Sequence, residues 1–367
     1  MGGDAAAASP QISGGPVTSP TAGTRGVVPE GRAEPFRPTA WQRVAFGAVA
    51  AGLRVTLLVS PRPTCRLVRR LFARSTVDRA ARQLAEAPAD VHAVLDERYG
   101  DGPLALLDVY VPGDAARDGR ALPVVVWTHG GAFVGGTKDE LGGYLRTLAA
   151  RGVAVVAVGY DRAPEARYPT PVRQVAAALA HVTSQAGRLH VDPSRVILAG
   201  DSAGAQVTAQ VAAALTDPAY GRLLGVDEAL APGALRGVML CCGIFDLARL
   251  PDDGPFRDVL GAIGWAYSGS RRFRDDAAFL ASVDVGAHVT AAFPPAFVTA
   301  GGADPLEPQS RAFAALLAER GVAVDDLFFE DGDGPPLGHE YQLELDTAEG
   351  AAAFERMVAF VRARVGG

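Results

Sequence analysis

The sequence predicts an α/β fold: a mostly parallel central sheet flanked by helices, with a helical lid. Three observations carry that expectation. From residue 90 onward, short apolar runs alternate with stretches of helical pattern, the order in which strands and crossover helices follow one another. The later runs are nearly continuous in apolar residues, as strands buried on both faces of a parallel sheet must be. Between the run ending in Val196-Ile197-Leu198-Ala199 and an Ala-rich helical stretch stands Gly200-Asp201-Ser202-Ala203-Gly204. A serine with glycine two residues away on each side suits a very sharp strand-to-helix turn, because larger side chains there would collide with neighbouring chain.

Taken in order, residues 1–38 are rich in Gly, Ala, Pro and Ser without apolar periodicity. They cannot bury enough surface to offset their ordering entropy, and a disordered tail is expected. Residues 39–90 read as an N-terminal helical cap segment. Within it, 44–61 is apolar on nearly all sides, broken only by Arg54. An arginine at a membrane centre costs about 3 kcal/mol while Ala and Gly return little, so a spanning helix is marginal. Packing over the core is expected; peripheral membrane contact through 41–60, helped by the basic stretch 62–74, is the alternative.

Residues 91–367 read as the catalytic domain. Strands are expected at 105–111, 124–128, 153–158, 196–199, 238–242, 296–300 and 326–329. Helices are expected at 141–150, 172–186, 203–215, 309–320 and 347–364. Residues 245–290 break the alternation with Pro, Gly, Arg and aromatics and are expected to contribute to the lid. The last strand offers a sheet edge through which a homodimer can form.

The turn at Ser202 lifts a hydroxyl above the sheet and aims the first N–H groups of a helix at a developing oxyanion. A second turn, His129-Gly130-Gly131-Ala132-Phe133, follows the apolar run 123–128 about seventy residues earlier. Consecutive glycines let backbone N–H groups converge, so Gly130, Gly131 and Ala203 are the expected oxyanion donors, each worth on the order of 3 kcal/mol. A serine nucleophile also needs a base and an orienting acid. With the order nucleophile, acid, base, only His288 and His339 of the six histidines follow Ser202. His339 is preferred because it ends a long loop, 331–338, after an apolar run. Asp304 follows the strand at 296–300, where sites of open parallel sheets gather, and is the expected acid; Glu330 is the fallback. Helix capping beside Pro305 is the competing role for Asp304.

With these motifs placed, the chain resembles the α/β-hydrolase superfamily, and within it the hormone-sensitive-lipase-like branch of carboxylesterases, over residues 95–365. Gly159-Tyr160-Asp161-Arg162-Ala163-Pro164-Glu165, Tyr168-Pro169-Thr170-Pro171 and Val191-Asp192-Pro193-Ser194-Arg195 add to the likeness. The resemblance implies a serine hydrolase acting on short to medium acyl esters through an acyl-enzyme, a lid built partly from N-terminal helices, and no cofactor. Ala132 stands where the family commonly has a third glycine, and Asp161-Arg162 replaces its usual Arg-Leu pair. A non-hydrolytic binder or lyase on the same fold, and a lipase working at a membrane surface, are the rival readings.

The net charge of −6 offers no basic footprint for nucleic acid. Three cysteines make no disulfide framework, and no metal-ligand spacing is present, so no metal is expected and a cytoplasmic setting suits the composition. An ordinary histidine base predicts activity rising with pH through a midpoint near 6 to 7.

Overall fold

The computed structural model describes residues 59–226, 229–250, 257–329 and 336–366. The tail at 1–38, nearly all of the 41–60 segment and the fallback acid Glu330 lie outside them.

Among the described residues, eight strands form one sheet: β1 Val91–Arg98, β2 Leu106–Pro112, β3 Leu122–Thr128, β4 Ala154–Val158, β5 Val191–Asp201, β6 Leu235–Cys241, β7 Ala296–Thr299 and β8 Val324–Leu327. Their spatial order is β1-β2-β4-β3-β5-β6-β7-β8. β2 runs antiparallel to both neighbours, and every pairing from β4 to β8 is parallel. The helices needed below are α1 Arg62–Glu86, α2 Gly113–Asp118, α3 Gly142–Ala149, α4 Thr170–Ser184, α5 Ala203–Thr216, α6 Pro218–Leu224, α7 Arg257–Ser268, α8 Ala277–Val283, α9 Glu307–Glu319 and α10 Ala348–Val365.

Alternation along each strand feeds two cores. Val124, Val126 and Leu198 join one face with Val172 and Leu179 of α4 and Val207 and Val211 of α5. Val125, Trp127, Ile197 and Met239 join the other with Leu145 and Leu148 of α3 and Phe354 and Met357 of α10. β3 is buried at every position, which is why its sequence shows no polar side. Burial of each such side chain contributes about 1.5–3 kcal/mol, so a charge on either face of β3 would be poorly tolerated.

β5 begins at Val191, five residues before the expected start at 196, and the two edge strands also differ from expectation. β1 was not anticipated: it is an outer strand whose residues, Val91 apart, are exposed or half-exposed, and Val-His-Ala-Val-Leu-Asp-Glu-Arg carries little apolar signal. β8 spans 324–327 instead of 326–329; as the opposite edge strand it too is only partly buried, so burial fixes its register weakly. The described residues of the irregular stretch 245–290 form α7, α8 and three short 3-10 turns. No helix among the described residues is long and apolar enough to cross a membrane.

Parallel strands end on one side of the sheet, and that geometry builds the site. Thr128 pairs with Gly200, Asp201 with Cys241, and Cys241 with Thr299. The residues after β3, β5, β6 and β7 therefore meet, although they lie far apart along the chain.

Candidate active site

Ser202 stands between β5 and α5 with φ 53° and ψ −122°. A non-glycine residue there stores on the order of 1–3 kcal/mol, which the packing around it must hold. The flanking glycines are forced by contact: a Cβ on Gly204 would lie 2.1 Å from the Thr128 carbonyl oxygen, and one on Gly200 would lie 2.6 Å from that of Gly204. Ser202 makes no capping bond to α5 through its hydroxyl. Its Oγ lies 2.9 Å from His339 Nε2 instead.

His339 Nδ1 lies 2.7 Å from Asp304 Oδ2. The other Asp304 oxygen, Oδ1, accepts from the Leu306 N–H at 2.8 Å, so this carboxylate both shapes its own turn and faces the imidazole. Asp304 is only 3% exposed, which keeps water from competing for it. The base loop is tied down on both sides of His339. The Ala303 N–H donates to the Leu337 carbonyl at 2.9 Å, and the Tyr341 and Thr299 hydroxyls meet at 2.5 Å. His288, the other histidine after Ser202, bonds the Ala281 carbonyl and stacks on Tyr220 with ring centroids 3.8 Å apart.

The oxyanion donors need a correction. The Gly130 N–H already donates to Asp201 Oδ2 at 2.8 Å, and Trp127 Nε1 donates to Asp201 Oδ1 at 2.7 Å. Among the described residues the N–H groups of Gly131, Ala132 and Ala203 have no hydrogen-bond partner. Gly130 is thus an anchor of the loop, and Gly131, Ala132 and Ala203 offer the free donors. Nothing in the sequence distinguishes Gly130 from Gly131; the difference is set by the Asp201 side chain, which adjoins Ser202 too closely to orient its base. Burial, with the charge of Glu340 adding to it, pushes the Asp201 carboxyl up to about 7. The loop itself turns through positive φ at Gly131, Ala132 and Phe133, with values of 112°, 53° and 62°. Glycine is needed at 131, where a Cβ would meet the Gly135 carbonyl carbon at 2.3 Å, whereas alanine is accommodated at 132.

His129 is scaffold. Its ring stacks on Tyr160 at 4.4 Å, and burial pushes its basicity down to about 4, so it stays neutral. Tyr160 in turn donates to the His129 carbonyl at 2.9 Å.

Cys242 is the residue that sequence reading missed. It follows β6 with φ 45°, is fully buried, and its sulfur lies within 4.8 Å of ligand atoms of both Asp304 and His339. Burial pushes its thiol up, so it is neutral at neutral pH. Burial also disfavours a charged His339, but the hydrogen bond to Asp304 and the charge of that carboxylate outweigh it, and the imidazole's basicity is raised above the ordinary histidine value.

A second layer comes from α1. Arg79 bridges Glu340 and Glu344, each at 3.2 Å, and the Gln83 amide donates to the Leu343 carbonyl. Glu340 directly follows His339 and sits at φ 62°, so this ion pair grips the base loop at its sharpest bend.

The arrangement can deprotonate a serine hydroxyl, stabilise the resulting imidazolium, and receive an oxyanion. Residues 125–332 match the family described as the alpha/beta hydrolase fold. Carboxylesterase NlhH of Mycobacterium tuberculosis is 32% identical over 227 residues, 60% of this chain and 66% of the relative. Kynurenine formamidase of Salmo salar is 34% identical over 154 residues, 42% of this chain and 47% of the relative. The chain thus spans just under two thirds of the first relative's length and about half of the second's. In structure, Esterase B of Lactobacillus rhamnosis superposes with TM-score 0.72 at 23% identity, over 83% of this chain and 96% of the other.

Proposed function

The chain belongs to the α/β-hydrolase family, in its hormone-sensitive-lipase-like branch, and on that premise we propose that it is a serine carboxylesterase acting on short to medium acyl esters. The observation that carries the reading is the continuous line Ser202 Oγ, His339 Nε2, His339 Nδ1, Asp304 Oδ2, with contacts of 2.9 and 2.7 Å. Ser202 Oγ attacks the ester carbonyl carbon as its proton passes to His339 Nε2. The carbonyl oxygen becomes an oxyanion held by the N–H groups of Gly131, Ala132 and Ala203. Collapse breaks the bond to the alcohol oxygen, which leaves with the proton from His339, and an acyl-serine remains. Water then gives a proton to the imidazole, adds to the acyl carbon, and frees the acid and Ser202. Asp304 fixes the imidazole tautomer throughout.

Trapping with a fluorophosphonate, combined with a series of nitrophenyl esters of increasing acyl length, tests this. A single adduct on Ser202 and turnover on short chains are expected; an intact protein that neither labels nor releases nitrophenol would end the proposal. The likeness to a kynurenine formamidase favours a second reading, cleavage of a small amide by the same groups. Faster hydrolysis of an N-formyl arylamine than of any ester in the series would select it.

The lid is part of the proposal: the described parts of its two segments, α1 and the helices of 245–290, cover the site, supported by the packing of α1 against α3 and α7. Cytoplasmic location, peripheral membrane contact through 41–60, and homodimerisation through the outer edge of β8 are proposals of the same kind.

Two further results are expected. In the free enzyme kcat/KM should rise with pH as His339 loses its proton, and the upward shift places the midpoint above 6.5 instead of in the ordinary range. By linkage the same raised basicity stabilises the fold below the unfolded value and fades as pH rises through the folded one. A midpoint below 6.5 would mean that Asp304 does not hold the imidazolium. Arg79→Ala should lower kcat about tenfold with KM little changed, short of the ~10²-fold that a 1 Å misplacement can cost. Arg79→Lys should recover part of that loss; unchanged kcat in both variants would remove Arg79 from the positioning of His339.

A further inference from the structure

The arginines of α1 fall into two sets. Arg69, Arg79 and Arg82 turn toward the body of the protein, where they pair with Glu165, Glu340, Glu344 and Asp346. Arg66, Arg70 and Arg74 are exposed and have no hydrogen-bond or ion-pair partner among the described residues. At about 100° per residue, these three share an arc of about 80° on the side opposite the buried Cys65, Val68 and Gln83. The same arc continues toward the C-terminal end of the helix with Val77 and Leu84, which are 55% and 56% exposed. Asp78 stands at its border.

An exposed helix face of this kind is unusual for a solvated surface, which would intersperse both signs of charge. Here three unpaired guanidinium groups lead into apolar side chains, on a protein whose net charge is −6. The sequence immediately before α1, residues 44–58, is itself almost entirely apolar. A nucleic-acid partner would be served by the arginines but would leave Val77 and Leu84 against a phosphate backbone. A sheet of anionic headgroups over hydrocarbon satisfies both halves of the face at once.

We propose that the outer face of α1 docks the protein on an anionic lipid bilayer, with Arg66, Arg70 and Arg74 on the headgroups and Val77 and Leu84 at the acyl boundary. The proposal is independent of the ester-hydrolase reading, because it needs only α1 and its exposed side chains. It also differs from hydrophobic insertion through 41–60, whose apolar part would persist on neutral vesicles and at high salt.

Co-sedimentation of the full chain with phosphatidylcholine vesicles, with and without about 30% phosphatidylglycerol, tests it. Binding should require the anionic lipid and should weaken as salt rises from about 50 to about 500 mM, as screening demands. Arg66→Gln, Arg70→Gln and Arg74→Gln together should reduce partitioning about a hundredfold, from about 1 kcal/mol per surface arginine. The triple variant Arg117→Gln, Arg120→Gln and Arg151→Gln, which removes arginines that are paired with carboxylates elsewhere, should bind as the parent does. Circular dichroism melting establishes that each variant is folded. No binding by the parent chain, equal binding to neutral vesicles, equal loss in both triple variants, or preference for a DNA duplex over anionic vesicles would each overturn the proposal.

Discussion

Ser202→Ala is expected to lower kcat by about six powers of ten on a short-chain nitrophenyl ester, while KM stays within a few-fold of the parent value. In the proposed mechanism this hydroxyl forms the acyl bond, and among the described residues it is the one that contacts His339 Nε2 at 2.9 Å. Cys242, the nearest thiol, is fully buried and kept neutral by that burial. The fold should survive, because Ser202 gives no side-chain bond to α5 and its backbone N–H keeps its 2.8 Å bond to the Cys241 carbonyl. Alanine meets the same strain at φ 53° as serine, so stability should change by less than about 1 kcal/mol. Stopped-flow release of nitrophenol, together with a melting curve, checks both halves. Residual activity above about one per cent of the parent would exclude Ser202 as the nucleophile.

Asp304→Asn is expected to cost about 10⁴ in kcat. The carboxylate now accepts from His339 Nδ1, which leaves Nε2 free to take the serine proton. An amide can present its N–H₂ to Nδ1 and favour the opposite tautomer, in which Nε2 carries a hydrogen and cannot act as base. The imidazole would also lose part of what raises its basicity, so the acid limb of the pH profile should move down together with the rate. The substituted amide keeps an oxygen for the Leu306 N–H, and the turn should persist. A nearly silent substitution would hand the acid's role to Glu330.

The line from Ser202 through His339 to Asp304 was legible in the sequence because Ser202 and Asp304 follow recognisable strands and His339 ends a long loop after an apolar run. Ser202 was marked by its flanking glycines, Asp304 by the run at 296–300, and His339 by its loop setting, the feature that separates it from His288. The structure brings all three into hydrogen-bonding contact. The central strands were legible for a related reason: burial on both faces leaves no room for polar residues. Edge strands β1 and β8 were missed or misplaced because a half-solvated strand imposes no such restriction.

By itself, then, the sequence determined the strand-helix alternation, the sharp turn at Ser202, and which histidine and carboxylate belong with it. These follow from local chain chemistry: glycine where a Cβ cannot fit, apolar runs where water is excluded, and a fixed order of strand ends. Tertiary structure alone decided which glycine N–H remains free, that Cys242 lies beside the imidazole, and that Arg79 reaches Glu340 from a helix 261 positions away. Each of these is a choice of partner between side chains distant in sequence. Such a choice is made by the register of parallel strands and the packing of α1, and no local pattern of residues encodes it.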